Sequence, residues 1–275
     1  MLRAPRGAKF KNRAQVASRR MAAPGMLQPA SSPAALGPRD REDAWRWLMI
    51  ALLGLVVGYV MVVVLTTIGA GIAGTKGGVN ALSRQTEPPV WYVMVGLAGV
   101  WCGFGGAAYA VTRTGGRLGL VIARFDSLYI FLGLALQLAL ALAYLPVHLS
   151  GGANAVNREL GGGSGWLLVV PAILTIVGAP VVEELFFRGV LLRALLVLCK
   201  TSSPAIGVVV AVVLDGALFG LAHLGSGDLW VQLPALAAVG IVLATLAVRT
   251  GRLGPSIVTH ASFNAAAVLW YAWSR

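Results

Sequence analysis

Residues 166–198 read WLLVVPAILTIVGAPVVEELFFRGVLLRALLVL, an apolar run that carries Glu183, Glu184 and Arg188. A bilayer core is crossed by roughly 20 apolar residues, so this run is long enough to span one. One ionised side chain at the centre of a membrane helix costs on the order of 2.5–3.5 kcal/mol on insertion scales. Three such groups within six residues need partners or a task. We therefore expect an intramembrane site here.

The composition of the whole chain supports a membrane protein. Hydrophobic residues make up 57% of the chain and charged residues 12%, and the mean hydropathy is +0.79. These values predict an all-α, polytopic helical membrane protein with about seven transmembrane helices. The predicted spans are residues 47–73, 90–111, 127–147, 166–198, 204–223, 230–248 and 254–273.

The fourth run is too long for one simple span. It is tilted, kinked near Pro171 or Pro180, or split into a span and a shorter helix. The last alternative raises the count to eight segments.

Basic residues concentrate before the first span. The net charge is +12, and ten of the 22 Lys and Arg residues precede residue 47. Residues 1–46 are rich in Arg, Ala, Pro and Ser, which predicts a basic, disordered cytosolic tail followed by a transmembrane domain over 47–275. With this tail in the cytosol, most other basic residues fall on the same side, as the positive-inside rule requires. The charge therefore predicts orientation beside a lipid bilayer, and we expect no nucleic-acid partner.

In the motif EELFFR, residues 183–188, helix geometry places the two glutamates on different faces. Glu184 and Arg188 are four residues apart, so they share one helix face and can pair. Glu183 projects about 100° away and can remain uncompensated, as a general base requires. The alternative is an ion-pair network that only locks helices together.

Two further pairs of residues at the same spacing follow in later spans. Phe219 and His223 lie near the end of the fifth span, and His260 and Asn264 lie in the seventh. Taken singly, each pair is more typical of helix-end or interhelical hydrogen bonding than of catalysis. All three motifs fall within about residues 165–270, which favours one buried site with the parts of a hydrolase.

Together, EExxxR, FxxxH and HxxxN in this order resemble the CAAX-prenyl-protease and bacteriocin-processing (CPBP) family of intramembrane proteases. The resemblance implies peptide-bond hydrolysis within the membrane, in the plasma membrane of a prokaryote. It implies that Glu183 activates water, that His223 helps to hold this water, and that His260 and Asn264 stabilise the oxyanion.

The same resemblance implies supporting roles and an open question about metal. Glu184 and Arg188 form a supporting pair, and Phe219 packs on the His223 face. No cofactor is required, because a glutamate can activate water by itself. Zinc is compatible with the resemblance, and its ligands would be Glu183, His223 and His260.

Two rival functions remain open. A polytopic transporter or proton relay could use the buried glutamates, and a catalytically idle relative could act as a membrane scaffold or immunity protein. For a protease, the substrate is a membrane-associated protein or peptide: a prenylated protein, a secreted peptide or a regulatory membrane protein.

A simple zigzag of spans leaves one conflict. It places His223 near the extracytosolic end of its span and His260 about six residues from the cytosolic start of the seventh, so the two differ in depth by well over about 10 Å. Either the fifth span extends past Gly225, the sixth is tilted or partly re-entrant, or the boundaries differ. Asp215 is a further acid in the fifth span, either near the interface or partnered by Arg193.

Overall fold

The computed structural model describes residues 37–85, 88–144, 168–223 and 229–274. Within these ranges the chain is helical and contains no strand, which confirms the all-α prediction. A short 3₁₀ turn, Arg124–Tyr129, leads into the fourth helix. The helices, in chain order, are α1 (Arg41–Ile72), α2 (Gly78–Ser83), α3 (Val90–Arg113), α4 (Ile130–Tyr144), α5 (Val169–Leu198), α6 (Pro204–Leu221), α7 (Leu229–Thr250) and α8 (Gly254–Ser274).

In the described part of the chain, six helices are long and apolar enough to cross a membrane. They are Arg41–Ile72, Val90–Arg113, Arg124–Ala143, Val169–Leu198, Pro204–Leu221 and Leu233–Thr250. A helix of 21 residues, α8, lies where the seventh span is predicted. It falls outside the six because its first half carries Ser256, Thr259, His260, Ser262 and Asn264, which lower its mean hydropathy.

Helix α1 begins six residues before the predicted start of the first span at residue 47. The Asp40 carboxylate accepts a hydrogen bond from the backbone N–H of Asp43 at 2.9 Å, which caps the helix. Glu42 and Asp43 add negative charge to the first turn, where the helix dipole favours it. The last residues of the predicted tail are thus helical, and residues 1–36 lie outside the described part of the chain.

Helix α5 resolves the long fourth run as one continuous helix with two changes of hydrogen-bond register. Residues Leu174–Gly178 and Leu185–Leu191 are π-helical, and the α-helical turn Ala179–Glu184 lies between them. Such π segments are rare and often occur at functional sites. The helix accommodates Pro180 at the start of that α-helical turn.

Glycines bring α1 and α3 into backbone contact. A Cβ atom on Gly103 would lie 2.2 Å from the Gly54 carbonyl oxygen and 2.4 Å from the Gly58 nitrogen. Only glycine fits at that distance, which is how helices approach closely when lipid supplies no hydrophobic drive. Helices α6 and α7 approach closely in the same way, because a Cβ on Gly216 of α6 would lie 2.5 Å from Ile241 of α7.

Helix α8 begins inside the protein. The backbone N–H of Gly254 donates to the Val121 carbonyl at 3.1 Å, and a Cβ on Gly254 would lie 2.1 Å from the Asp126 carboxylate. Arg252 pairs with that carboxylate at 2.5 Å, and this hydrogen bond raises the pKa of the Arg252 guanidinium. The segment before α4 therefore covers the start of α8 and fixes its position relative to that segment.

Candidate active site

Glu184 and Arg188 form the buried pair that their spacing predicts. The Arg188 Nη1 donates to Glu184 Oε1 at 2.9 Å, and both side chains are 0% exposed. Two opposite charges removed from water are stable only with good geometry and further partners. Glu184 and Arg188 each have such partners.

Arg188 joins three helices. Its Nη2 donates to the Gly240 carbonyl of α7 at 2.9 Å, and its Nε lies 3.4 Å from Asp215 Oδ2 of α6. The guanidinium also lies over the Phe219 ring, 4.6 Å from its centroid. Asp215 is thus fully buried, and Arg188 is its ion-pair partner at this distance.

Glu184 has a second partner that its spacing did not reveal. His260 of α8 places Nδ1 3.1 Å from Glu184 Oε1, and this imidazole is almost fully buried. Because a carboxylate accepts, the hydrogen-bond network assigns a proton to Nδ1. The other ring nitrogen, Nε2, is thereby directed away from Glu184.

Glu183 lies on that other side of the imidazole. Its Oε2 is 3.8 Å from His260 Nε2, beyond hydrogen-bond distance, and the side chain is 15% exposed. Within the described part of the chain, this oxygen is buried without a hydrogen-bond partner. A buried carboxylate oxygen with no donor is costly, and such exceptions to satisfied polar groups are often found where chemistry occurs.

His223 and His260 approach the same aromatic ring from two helices. The Phe219 centroid is 4.9 Å from that of His223 and 5.6 Å from that of His260. His223 also places Nδ1 2.8 Å from the Phe219 carbonyl oxygen. The depth difference expected from a simple zigzag was therefore wrong.

Asn264 contacts α5 through its amide group. Its Nδ2 donates to the Thr175 carbonyl oxygen at 2.9 Å. This carbonyl belongs to the first π segment of α5. One of the two amide hydrogens of Asn264 is thus engaged by the backbone.

Tyr59 of α1 is a neighbour of the site that the sequence did not reveal. Its hydroxyl donates to the Ala222 carbonyl, next to His223. The hydroxyl also lies within electrostatic range of Glu183. A single tyrosine in an apolar helix carries no spacing signal, so only the packing of α1 shows its position.

The predicted zinc ligands do not converge as they stand. Among the described residues, no three His, Cys, Asp or Glu side chains form a group that could hold a metal ion. Glu183 and His260 approach each other, while the Nδ1 of His223 faces a backbone carbonyl. Zinc at this site therefore stays a prediction.

Comparison with known families adds an independent observation. Residues 165–266 match the Rce1-like family model, type II CAAX prenyl endopeptidases. This confirms the resemblance drawn from the three motifs. Comparisons with curated proteins and with solved structures found no match.

The matched residues contain all three motifs and leave α1–α4 outside. The match supports a CAAX-protease-like intramembrane endopeptidase in general, and a hydrolase as the class of enzyme. With the six apolar helices, it also supports an integral membrane protein. It does not identify the roles of individual side chains.

Proposed function

We propose that this protein is an intramembrane endopeptidase in which Glu183 activates water to cleave a peptide bond of a membrane-associated protein or peptide. The observation that carries the proposal is the unpaired Oε2 of Glu183, buried 3.8 Å from His260 Nε2. A single water molecule can contact both atoms at that separation. Glu184, bonded to Nδ1, holds the imidazole in place, as the orienting carboxylate does in catalytic triads.

In the first step, Glu183 takes a proton from water, and the water oxygen attacks the scissile carbonyl carbon. His223, beside Phe219, helps to hold this water. The carbonyl π-electron pair moves to oxygen, which becomes an oxyanion. The new C–O bond gives a tetrahedral intermediate.

His260 stabilises that oxyanion together with Asn264, and the Nδ1 hydrogen bond to Glu184 holds the His260 ring in place. The second amide hydrogen of Asn264 is the donor to the oxyanion. Glu183 then returns its proton to the amide nitrogen as the C–N bond breaks.

The Glu184, Arg188 and Asp215 group supports this chemistry without touching the substrate. It fixes α5, α6 and α7 around the site through buried ion pairs. Preorganised charges of this kind act strongly in a site that excludes bulk water.

We also propose that the N-terminus is cytosolic, in the plasma membrane of a prokaryote. The start of α1 lies at the end of α5, because Arg41 Nη1 donates to the Leu198 carbonyl at 3.4 Å. The Arg252–Asp126 pair likewise joins the segment before α8 to the segment before α4. Basic residues cluster in these connections, which favours the cytosolic side for all of them.

The decisive experiment compares the membrane peptides released by three full-length proteins. Wild type, Glu183→Gln and the exposed control Glu42→Gln are each reconstituted in liposomes with candidate membrane substrates, including a prenylated peptide. We expect the same new peptide termini from wild type and Glu42→Gln, and none from Glu183→Gln. Identical termini from all three would refute the protease.

Two additional measurements separate the alternatives. Proton or cation flux that depends on Glu183, with no peptide cut, would identify a transporter or relay. Neither flux nor cleavage in any of the three would identify an idle scaffold. For the metal question, we expect cleavage to survive a chelator, and a loss that Zn²⁺ restores would assign zinc to the site.

A further inference from the structure

The hydrogen-bond register of the first π segment of α5 directs one backbone carbonyl toward a proline. The N–H of Ala179 bonds to the Leu174 carbonyl, five residues back. In the same register, the next bond would run from residue 180 to the Thr175 carbonyl. Residue 180 is proline, which has no N–H.

Asn264 supplies the missing donor. Its Nδ2 bonds to the Thr175 carbonyl at 2.9 Å, and Thr175 is buried. A buried carbonyl without a donor is unfavourable in a protein interior and more so within a membrane. Pro180 in α5 therefore cannot donate to the Thr175 carbonyl oxygen, and Asn264 in α8 donates to it instead.

This bond lies next to the proposed catalytic groups on both helices. Pro180 precedes Glu183 by three residues, about one turn, and Asn264 follows His260 by four. The His260–Glu184 bond of 3.1 Å is a second link between the same two helices. Both links hold the α-helical turn Ala179–Glu184 against α8.

We infer that Asn264 is a positioning residue, which supplies the donor that Pro180 lacks and so holds the Glu183 turn in register against α8. The inference rests on the proposed function. In addition to stabilising the oxyanion, Asn264 would hold the α5 backbone through its hydrogen bond to the Thr175 carbonyl. The inference predicts that the need for Asn264 depends on the proline. An asparagine that only binds the oxyanion would be needed equally with or without it.

The test is a double-mutant cycle on cleavage by the full chain. Asn264→Ala is expected to lower kcat/KM by about tenfold or more, mainly through kcat, when Pro180 is present. In the Pro180→Ala background the loss should be at least about threefold smaller, because the alanine has a backbone N–H that can donate to Thr175 and only the oxyanion role is then removed. Pro171→Ala is the matched control on α5, and it should not rescue Asn264→Ala. Equal losses with Pro180 and in the Pro180→Ala background overturn the inference.

Unfolding temperature gives a second readout that does not depend on activity. If Pro180→Ala alone prevents cleavage, or if the protein is not a protease, the four proteins of the cycle are compared by thermal unfolding in detergent. They are wild type, Asn264→Ala, Pro180→Ala and the double variant. Asn264→Ala should lower the unfolding temperature more with Pro180 than in the Pro180→Ala background. Equal drops overturn the inference, whereas absent cleavage in wild type refutes only the proposed function.

Discussion

Two Glu–Arg pairs at the same four-residue spacing lie in opposite surroundings in this molecule. Glu42 and Arg46 are 2.5 Å apart at the start of α1, with side chains 76% and 66% exposed. Glu184 and Arg188 are 2.9 Å apart in α5, and both are 0% exposed. The spacing predicts both pairs equally well, yet only the buried pair organises three helices.

The comparison extends to the two halves of the chain. In the N-terminal half, α1 and α3 meet through glycine backbones, and the helices carry mainly aliphatic side chains. In the C-terminal half, α6 and α7 also approach closely at Gly216, and the Arg188 guanidinium joins α5, α6 and α7 through two carboxylates and the Gly240 carbonyl. We therefore expect the stability of the first half to depend mainly on close backbone contact, and that of the second half to depend also on its buried charges.

The largest expected effect comes from removing the buried cation. Arg188→Met should lower the free energy of unfolding by about 3–5 kcal/mol, because it leaves Glu184 and Asp215 buried without their partner. Arg46→Met, the matched control, should change it by less than about 0.5 kcal/mol. Reversible unfolding of both full-length variants in bicelles measures the difference. Losses of similar size would show that burial does not distinguish the two pairs.

A smaller effect is expected from adding one methyl group between α1 and α3. Gly103→Ala should destabilise the protein by about 1–3 kcal/mol, since the new Cβ would meet the Gly54 carbonyl at 2.2 Å. The control is Gly105→Ala on the same helix, where no atom lies within 4 Å of the new Cβ. The control should be neutral or slightly stabilising, because alanine favours helix. An equally stable Gly103→Ala protein would contradict backbone contact at this crossing.

Tyr59→Phe tests whether the N-terminal half acts on the site at all. The change removes the hydroxyl that donates to the Ala222 carbonyl, which should cost about 0.5–1.5 kcal/mol of stability. Cleavage should also slow, because Ala222 precedes His223 in the chain. Tyr109→Phe, at an exposed position on α3, is the control. If both variants cleave like wild type, α1 serves only as packing.

The smallest expected effect is the coupling within the exposed pair. A double-mutant cycle with Glu42→Gln and Arg46→Met should give about 0.3–0.5 kcal/mol, because water screens both charges. The coupling should fall further in high salt. Unfolding at two salt concentrations measures it, and a coupling near that of the buried pair would remove the contrast.

Local spacing was enough to predict part of the site. The Glu184–Arg188 pair follows from one helix and from four-residue spacing, and the structure contains it. The partners of Asp215 and of His260 lie on other helices, at sequence separations where no local rule applies. These contacts depend on how the helices pack.

Depth was harder to predict than helix position. The bounds of α6 and α8 lie close to the predicted spans, yet the vertical gap between His223 and His260 was wrong. A zigzag takes the relative depth of two residues from the residue count along each helix. In the structure, the start of α8 is fixed by a contact with the segment before α4, where Val121 accepts the N–H of Gly254. Hydropathy does not predict such a contact.

The π segments of α5 make the chemistry depend on chain length as well as on composition. Each segment holds a residue more than an α-helical ladder of the same extent would need. Deleting one residue within Leu174–Gly178 would let that ladder close, and because the extra residue is taken up in the wide turn, the helix beyond would keep nearly its present direction. The α-helical turn Ala179–Glu184 has no extra residue, so a deletion there, before Glu183, would rotate Glu183 by about 100° relative to the preceding helix and away from His260. The π segment is thus the place where related helices can differ by one residue in length and keep the same side chains facing the site.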